Sequence, residues 1–200
     1  MRIFYNTNIP NNYKRSAIVI GNFDGIHRGH QKVFKKTKIF AKKNKIKFGV
    51  LTFTPLPIMF FNKKIKNFRL VSENSKFKLL KKYGVDFIIN IKFNKNFSEI
   101  KAENFIKKII YKKINPKLLA VSNNFKFGKK RKGDISLLKK FSFKYNFELL
   151  NVRPFKYKGS IVSSTRIRKN LQEGKIFLAN KMLTKTWFVD GIVNKGKKLG

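Results

Sequence analysis

Ala17-Ile18-Val19-Ile20-Gly21-Asn22-Phe23-Asp24-Gly25-Ile26-His27-Arg28-Gly29-His30 reads as a short buried strand, a glycine-rich turn and the start of a helix. The lysine-rich segment from Gly29 to Lys43 continues that helix, with Val33, Phe34 and Phe40 available for one face. A strand, a glycine turn and a helix start together form a natural phosphate site. The first N–H groups of the helix point outward, and its dipole favours negative charge. Both histidines of the chain fall in this stretch. At i, i+3 they share one side of the helix start, and Gly29 between them lets a phosphate approach the backbone closely. A pair of surface histidines after a turn is the plainer alternative. The whole string in its strand–turn–helix setting favours nucleotide chemistry over it.

Outward from this stretch, strand and helix signals alternate. Lys47–Phe53 reads as a strand, broken by Thr54-Pro55-Leu56-Pro57, and Ile58–Asn67 as an aromatic, basic loop. Ser72 is placed to cap a helix to Tyr83, with Gly84 as its stop. Asp86–Ile91 reads as a strand, Ala102–Lys113 as a helix and Leu118–Val121 as a strand. Asp134 is placed to cap a helix into Tyr145, and Phe147–Val152 reads as another strand. Ser163-Ser164-Thr165 opens a short helix ending near Gly174, and Lys175–Leu183 reads as one more. This order predicts an α/β fold, a parallel sheet with helices on both faces. Ligands in such folds sit at the carboxyl ends of the strands, where the turns at Gly21, Thr54, Asn123 and Ser163 all fall.

Composition narrows the class. The net charge of +39 suggests a polyanion binder. The lysines are spread along the whole chain among abundant Asn, Ile and Phe, a pattern of A/T-rich codons. Diffuse charge of that kind identifies no specific nucleic-acid partner. The absence of cysteine excludes disulfides, thiolate metal sites and a cysteine nucleophile. No apolar run reaches the roughly 18 residues of a membrane span, and Met1–Lys14 holds no signal-peptide core. A cytoplasmic protein is expected.

Two further constellations carry chemistry. In Ser163-Ser164-Thr165-Arg166-Ile167-Arg168, hydroxyls at a helix start can bind phosphate as well as cap. Arg168, one turn beyond Thr165, can reach the same anion with a fork of donors. In Ser122-Asn123-Asn124-Phe125-Lys126-Phe127-Gly128, amides and phenylalanines after a strand can hold an aromatic ligand. A plain turn with core phenylalanines competes strongly in a chain with 22 Phe. Only nine acids are present. None of them forms a pair suited to glycoside hydrolysis or a two-metal cage, and Ser164 has no evident general base.

In combination these pieces resemble the FMN adenylyltransferase module of prokaryotic bifunctional riboflavin kinase/FAD synthetases, among the nucleotidyltransferases with an H-x-G-H motif. The resemblance runs from Ser16 onward. It rests on Gly21–His30, Phe53-Thr54-Pro55-Leu56-Pro57, Asn124–Lys130, Ser163–Arg168, and Leu171-x-x-Gly174 with Ala179 and Leu183. It implies a Rossmann-like nucleotidyltransferase fold over residues 1–185, with ATP and FMN as substrates, Mg²⁺ assisting, and FAD and pyrophosphate as products. By resemblance His27 and His30 contact the ATP phosphates and, with Arg168, make up the catalytic set. Gly21, Asn22, Phe23, Asp24, Gly25 and Gly29 shape the ATP turn, and Ser164 and Thr165 hold the nucleotide from the other side. Phe53, Pro55, Asn124 and Phe125 stand on the FMN side. No metal ligand is assigned.

The chain departs from the family pattern at three places. F-D-P-H-P is usual where Phe53-Thr54-Pro55-Leu56-Pro57 stands. Gly is usual where Ser122 precedes Asn123. Residues 186–200 resemble only the entry strand of a riboflavin kinase β-barrel, a short C-terminal β stub, so kinase activity is expected to be absent. Two alternatives stay open: an H-x-G-H enzyme with another phosphate acceptor, or a degraded enzyme retained as a basic polyanion binder. Small-molecule substrates are the expected partners, with no membrane and no specific nucleic acid; oligomeric state is left open.

Overall fold

The chain enters its sheet earlier than expected, through a short edge strand, β1 (Arg2–Phe4). Three residues are too few to display a period of two, so no pattern announces it. There follow β2 (Ala17–Ile20), α1 (Arg28–Lys43), β3 (Phe48–Thr54), α2 (Pro57–Phe61), α3 (Glu73–Lys82) and β4 (Phe87–Lys92). Next come α4 (Lys95–Ser98) and α5 (Ala102–Asn104), which runs straight on into a wide-turned π segment, Phe105–Ile114. The remainder is β5 (Leu118–Ser122), α6 (Ile135–Lys144), β6 (Glu148–Val152), β7 (Lys156–Tyr157), β8 (Ser160–Ile161), α7 (Ser164–Gln172) and α8 (Ile176–Leu183). The computed structural model describes residues 1–65 and 68–191.

The six-stranded sheet has the order β1-β4-β3-β2-β5-β6, and its pairings are parallel. β2 is buried at all four positions, the near-continuous apolar run of a strand covered on both faces. On one face α1 and α3 lay Val33, Phe34, Phe77 and Leu80 over Val19, Val50 and Ile88. On the other, the π segment and α6 lay Ile106, Ile110 and Leu138 over Ile18, Leu51, Ile89 and Leu119. Each such aliphatic side chain stabilises the fold by roughly 1.5–3 kcal/mol on burial. Ser72 and Asp134 cap α3 and α6 as expected, accepting from the N–H groups of Ser75 and Leu137. α7 and α8 make a smaller cluster with Leu70, centred on Val162, Ile167, Met182 and Leu183.

Topology positions the site. From β2 the chain builds β3 and β4 to one side, then crosses to build β5 and β6 on the other. The order therefore reverses beside β2, and a crevice opens beyond the carboxyl ends of β2 and β5. The Gly21–His30 stretch leaves β2 at that point.

Three expectations need correction or relocation. The aromatic stretch after Thr54 is not loop throughout: Pro57 takes the first position of α2, where its missing N–H costs nothing. The helix expected over Ala102–Lys113 is mostly π-type. In the expected C-terminal β stub, Trp187–Gly191 form no strand, and 192–200 lie outside the described residues. A short antiparallel pair is found instead at β7 and β8. Among the described residues no helix is long and apolar enough to cross a membrane.

Candidate active site

The turn after β2 is wound tightly. Phe23, Gly25 and Ile26 have φ of 51°, 81° and 46°, a left-handed conformation that costs an ordinary residue about 1–2 kcal/mol. Phe23 and Ile26 offset that cost by burial, at 2% and 0% exposure. Gly25 has no such choice: a Cβ there would lie 2.8 Å from Leu70 Cδ1. The winding turns Asp24 inward and delivers His27 to the N-cap of α1.

His27 and His30 come together as the spacing predicts. Their rings stack with centroids 3.7 Å apart and planes 19° from parallel. Phe23 meets the His30 ring edge-on at 5.2 Å. Burial lowers the His27 pKa to about 4, helped by the charges of Arg168 and Lys185. Burial, then His27 and Lys185, hold His30 well below the usual imidazole range. Both rings are therefore neutral at pH 7. Their Nδ1 atoms are enclosed and have no hydrogen-bond partner among the described residues. Buried polar atoms are nearly always paired in folded proteins, so two orphans side by side at a helix N-terminus mark a place for a ligand. The leading N–H groups of α1, which have no intrahelical acceptor, stand beside them.

The depressed pKa values make a stability prediction. Below pH 6.5 the unfolded chain takes up protons that folded His27 refuses until about pH 4. Stability is then complete above pH 6.5 and drains away as pH falls toward 4, by roughly 3 kcal/mol for His27 alone. Urea unfolding at pH 7.5 and 4.5 checks this. A midpoint that does not move, or that moves equally in a His27→Asn/His30→Asn variant, would contradict it.

Asp24 and Arg168 do not stand free. The Asp24 carboxylate accepts from the Leu70 N–H through both oxygens, at 2.9 and 3.1 Å, and from Arg168 Nη2. The side chains are 5% and 17% exposed. Arg168 also donates through Nε to the Phe68 carbonyl at 2.7 Å and lies over the Phe68 ring, 3.6 Å from its centroid. Ser164 Oγ donates to the Asp24 carbonyl at 2.9 Å. The start of α7, the histidine turn and the 68–70 loop are thus clamped into one unit. Thr165 lies exposed in the first turn of α7.

Lys185 and Gln31 belong to the same unit and were missed by sequence reasoning. Lys185 Nζ donates to the Gly25 carbonyl at 2.8 Å, and burial lowers its pKa to about 8. Gln31 Nε2 bridges the Ile26 and Leu183 carbonyls at 2.9 and 3.1 Å. Lys185 meets Gly25 across 160 positions and Gln31 meets Leu183 across 152, and no local pattern signals such a pairing.

The residues expected on the FMN side flank the turn, since β3 and β5 are the neighbours of β2. The Phe53 ring is 8% exposed and packs on Phe93 and Phe97, and Pro55 follows at the rim. Asn124 is exposed and accepts from Ser122 Oγ. Phe125 is half-buried and stacks on Phe127, centroids 5.5 Å apart. Thr54, where the resembled pattern carries an acid, donates to Glu73 Oε2 at 2.7 Å, and Asn90 donates to Glu73 Oε1 at 3.0 Å. A carboxylate therefore reaches this strand end from α3 instead.

No group of three or more His, Asp or Glu side chains among the described residues is placed to hold a metal ion. Asp24, the acid of the turn, is already committed to Arg168 and Leu70. These residues do not make a dedicated all-protein Mg²⁺ cage.

A family model described as FAD synthetase matches residues 9–166. The bifunctional riboflavin kinase/FMN adenylyltransferase of Buchnera aphidicola subsp. Schizaphis graminum is 43% identical over 186 residues, 92% of this chain and 60% of that protein. The FAD synthetase of Listeria monocytogenes is 30% identical over 203 residues, 100% of this chain and 81% of that one. A crystal structure described as a macrolide-efflux protein from Streptococcus pneumoniae superposes with a TM-score of 0.80 at 26% identity, covering 92% of this chain and 59% of that one. The chain thus spans about three-fifths of the Buchnera relative's length.

Proposed function

This chain belongs to the FAD synthetase family, and on that premise we propose that it transfers the adenylyl group of ATP to FMN. An oxygen of the FMN phosphate attacks the α-phosphorus of ATP. The bond from that phosphorus to the bridging oxygen of the β-phosphate breaks, and pyrophosphate leaves. ATP enters as its Mg²⁺ complex. No covalent enzyme intermediate is needed, so the chain's task is to position both phosphates and stabilise the charge that moves between them.

The observation that carries this reading is the stacked pair of neutral imidazoles, their Nδ1 atoms unpartnered, at the helix start beside the switch point. A neutral imidazole has one N–H to donate and one nitrogen to accept. Two of them can hold phosphate oxygens without the mutual repulsion of two imidazolium ions. Gly21, Asn22, Phe23, Gly25 and Gly29 form the backbone wall of the ATP site, and Ser164 and Thr165 its opposite side. Asp24 and Arg168 keep those sides at a fixed separation. Phe53, Pro55, Asn124 and Phe125 line the approach for FMN. A cytoplasmic place, where both substrates occur, belongs to the same proposal.

The test is incubation of the 200-residue polypeptide with ATP, Mg²⁺ and either FMN or riboflavin, followed by chromatography of the flavins. FAD from FMN and no product from riboflavin is the expected result. No FAD under any condition would overturn the reading.

A further inference from the structure

Lys76 is a buried cation that the reaction just described does not use. It sits on α3 at 2% exposure, between that helix and the sheet. Its ammonium has three N–H donors, and its hydrogen-bond partner among the described residues is Thr52 Oγ1 at 3.3 Å. Thr52 Oγ1 in turn donates to the Asn22 carbonyl, also at 3.3 Å. Asn22 lies in the turn that carries Asp24 and His27. The charged groups facing Lys76 are Arg69 from the loop before α3, Glu73 from its own helix and Asp24 from the turn. Taking an ammonium out of water is expensive unless something is gained by it.

The direction of these bonds shows what is gained. An ammonium donates only and has no lone pair. A Thr52 hydroxyl that accepts from it must spend its single proton elsewhere, and the acceptor in reach is the Asn22 carbonyl. With Lys76 removed the hydroxyl is free to rotate; with Lys76 deprotonated the amine's lone pair offers that hydroxyl a second acceptor, and in both cases the tether on the carbonyl loosens. We infer that Lys76 is a positioning residue for the phosphate-binding turn, fixing it through the Thr52 hydroxyl and the Asn22 carbonyl. This inference rests on the reading that the turn from Gly21 to His30 holds the triphosphate. Lys76 does not touch substrate; it removes slack from a turn whose misplacement by about 1 Å would cost on the order of a hundredfold in rate. Burial lowers its pKa to about 8, so the tether is held in one direction at neutral pH and loosens in mildly alkaline solution.

The test compares Lys76→Met, Thr52→Val, the double variant, Thr52→Ser and, as a control, the exposed neighbour Lys78→Met. FAD formation and calorimetric ATP binding are measured for each, alongside the melting temperature. Lys76→Met and Thr52→Val are expected to lower kcat/KM for ATP by a similar factor, about ten- to a hundredfold; Lys76→Met should melt near wild type and Thr52→Val lower, because it strands the buried ammonium and the Asn22 carbonyl. The double variant should lose no more than either single one, because both cut the same chain. Thr52→Ser and Lys78→Met should match wild type. Wild-type kcat/KM should fall above about pH 8, and that limb should be missing in Lys76→Met. Unchanged kcat/KM in Lys76→Met, or losses that multiply in the double variant, would overturn the inference. Should Lys76→Met fail to fold, the contrast between Thr52→Val and Thr52→Ser decides. A wild-type protein that binds ATP but makes no FAD overturns the proposed reaction alone, and the ATP affinities of the same variants then decide the role of Lys76.

Discussion

Replacing His30 by alanine is expected to lower FAD formation by about 10²- to 10³-fold, the loss that follows removal of one preorganised donor from a site where charge develops. His30 is the member of the pair held most firmly. It stacks on His27 at 3.7 Å and is met edge-on by Phe23 at 5.2 Å. Its imidazole stays neutral because burial, then His27 and Lys185, oppose its protonation. The ring therefore costs little reorganisation when phosphate arrives. The fold should survive the substitution, since β2 and the body of α1 are anchored by Val19, Val33 and Phe34 rather than by the imidazole. His30→Asn, which fills part of the space and keeps a donor, should retain more activity than His30→Ala. Steady-state kinetics with circular dichroism as the control for folding would check both. Full activity in His30→Ala would remove His30 from the mechanism.

The second large effect concerns Asp24 and Arg168. Replacing either by alanine is expected to destabilise the protein by about 3–5 kcal/mol, because the partner is left as an uncompensated buried charge. Asp24→Ala also strands the Leu70 N–H, and Arg168→Ala strands the Phe68 carbonyl. Arg168→Lys should rescue little, since one ammonium cannot serve the carboxylate and the carbonyl in the geometry of a guanidinium fork. FAD formation should fall in each variant, as the clamp that joins α7 to the histidine turn opens. In urea unfolding, the double alanine variant should cost clearly less than the sum of the two single ones. Strict additivity would show that the pair contributes nothing as a pair.

These predictions differ in how they are reached. The expectation for His30 is legible in the sequence, because a short apolar run, a glycine turn and histidines at i, i+3 constrain one another within fourteen residues. The importance of Arg168 is legible only as a candidate phosphate ligand at a helix start. Its commitment to Asp24, 144 positions away, emerges only once α7 is folded against the turn. The same holds for Thr54. As a letter it reads as the loss of an acid, whereas the fold supplies Glu73 to that strand end from α3. Lys76 is one of 48 basic residues, and nothing in its neighbourhood along the chain separates it from those that face water.

The parallel α/β sheet, the places where helices start at Ser72, Asp134 and Ser163, and the strand–turn–helix that carries both histidines follow from local sequence alone. Strand burial, capping and glycine conformation act over a few residues and leave a readable period. Three things were decided by tertiary structure: the edge strand β1, the clamp around Asp24, and the link from Lys76 to Asn22. Each is a pairing between groups far apart in the chain. Its free energy depends on burial and on the direction of donors and acceptors, and those exist only after the helices have packed onto the sheet.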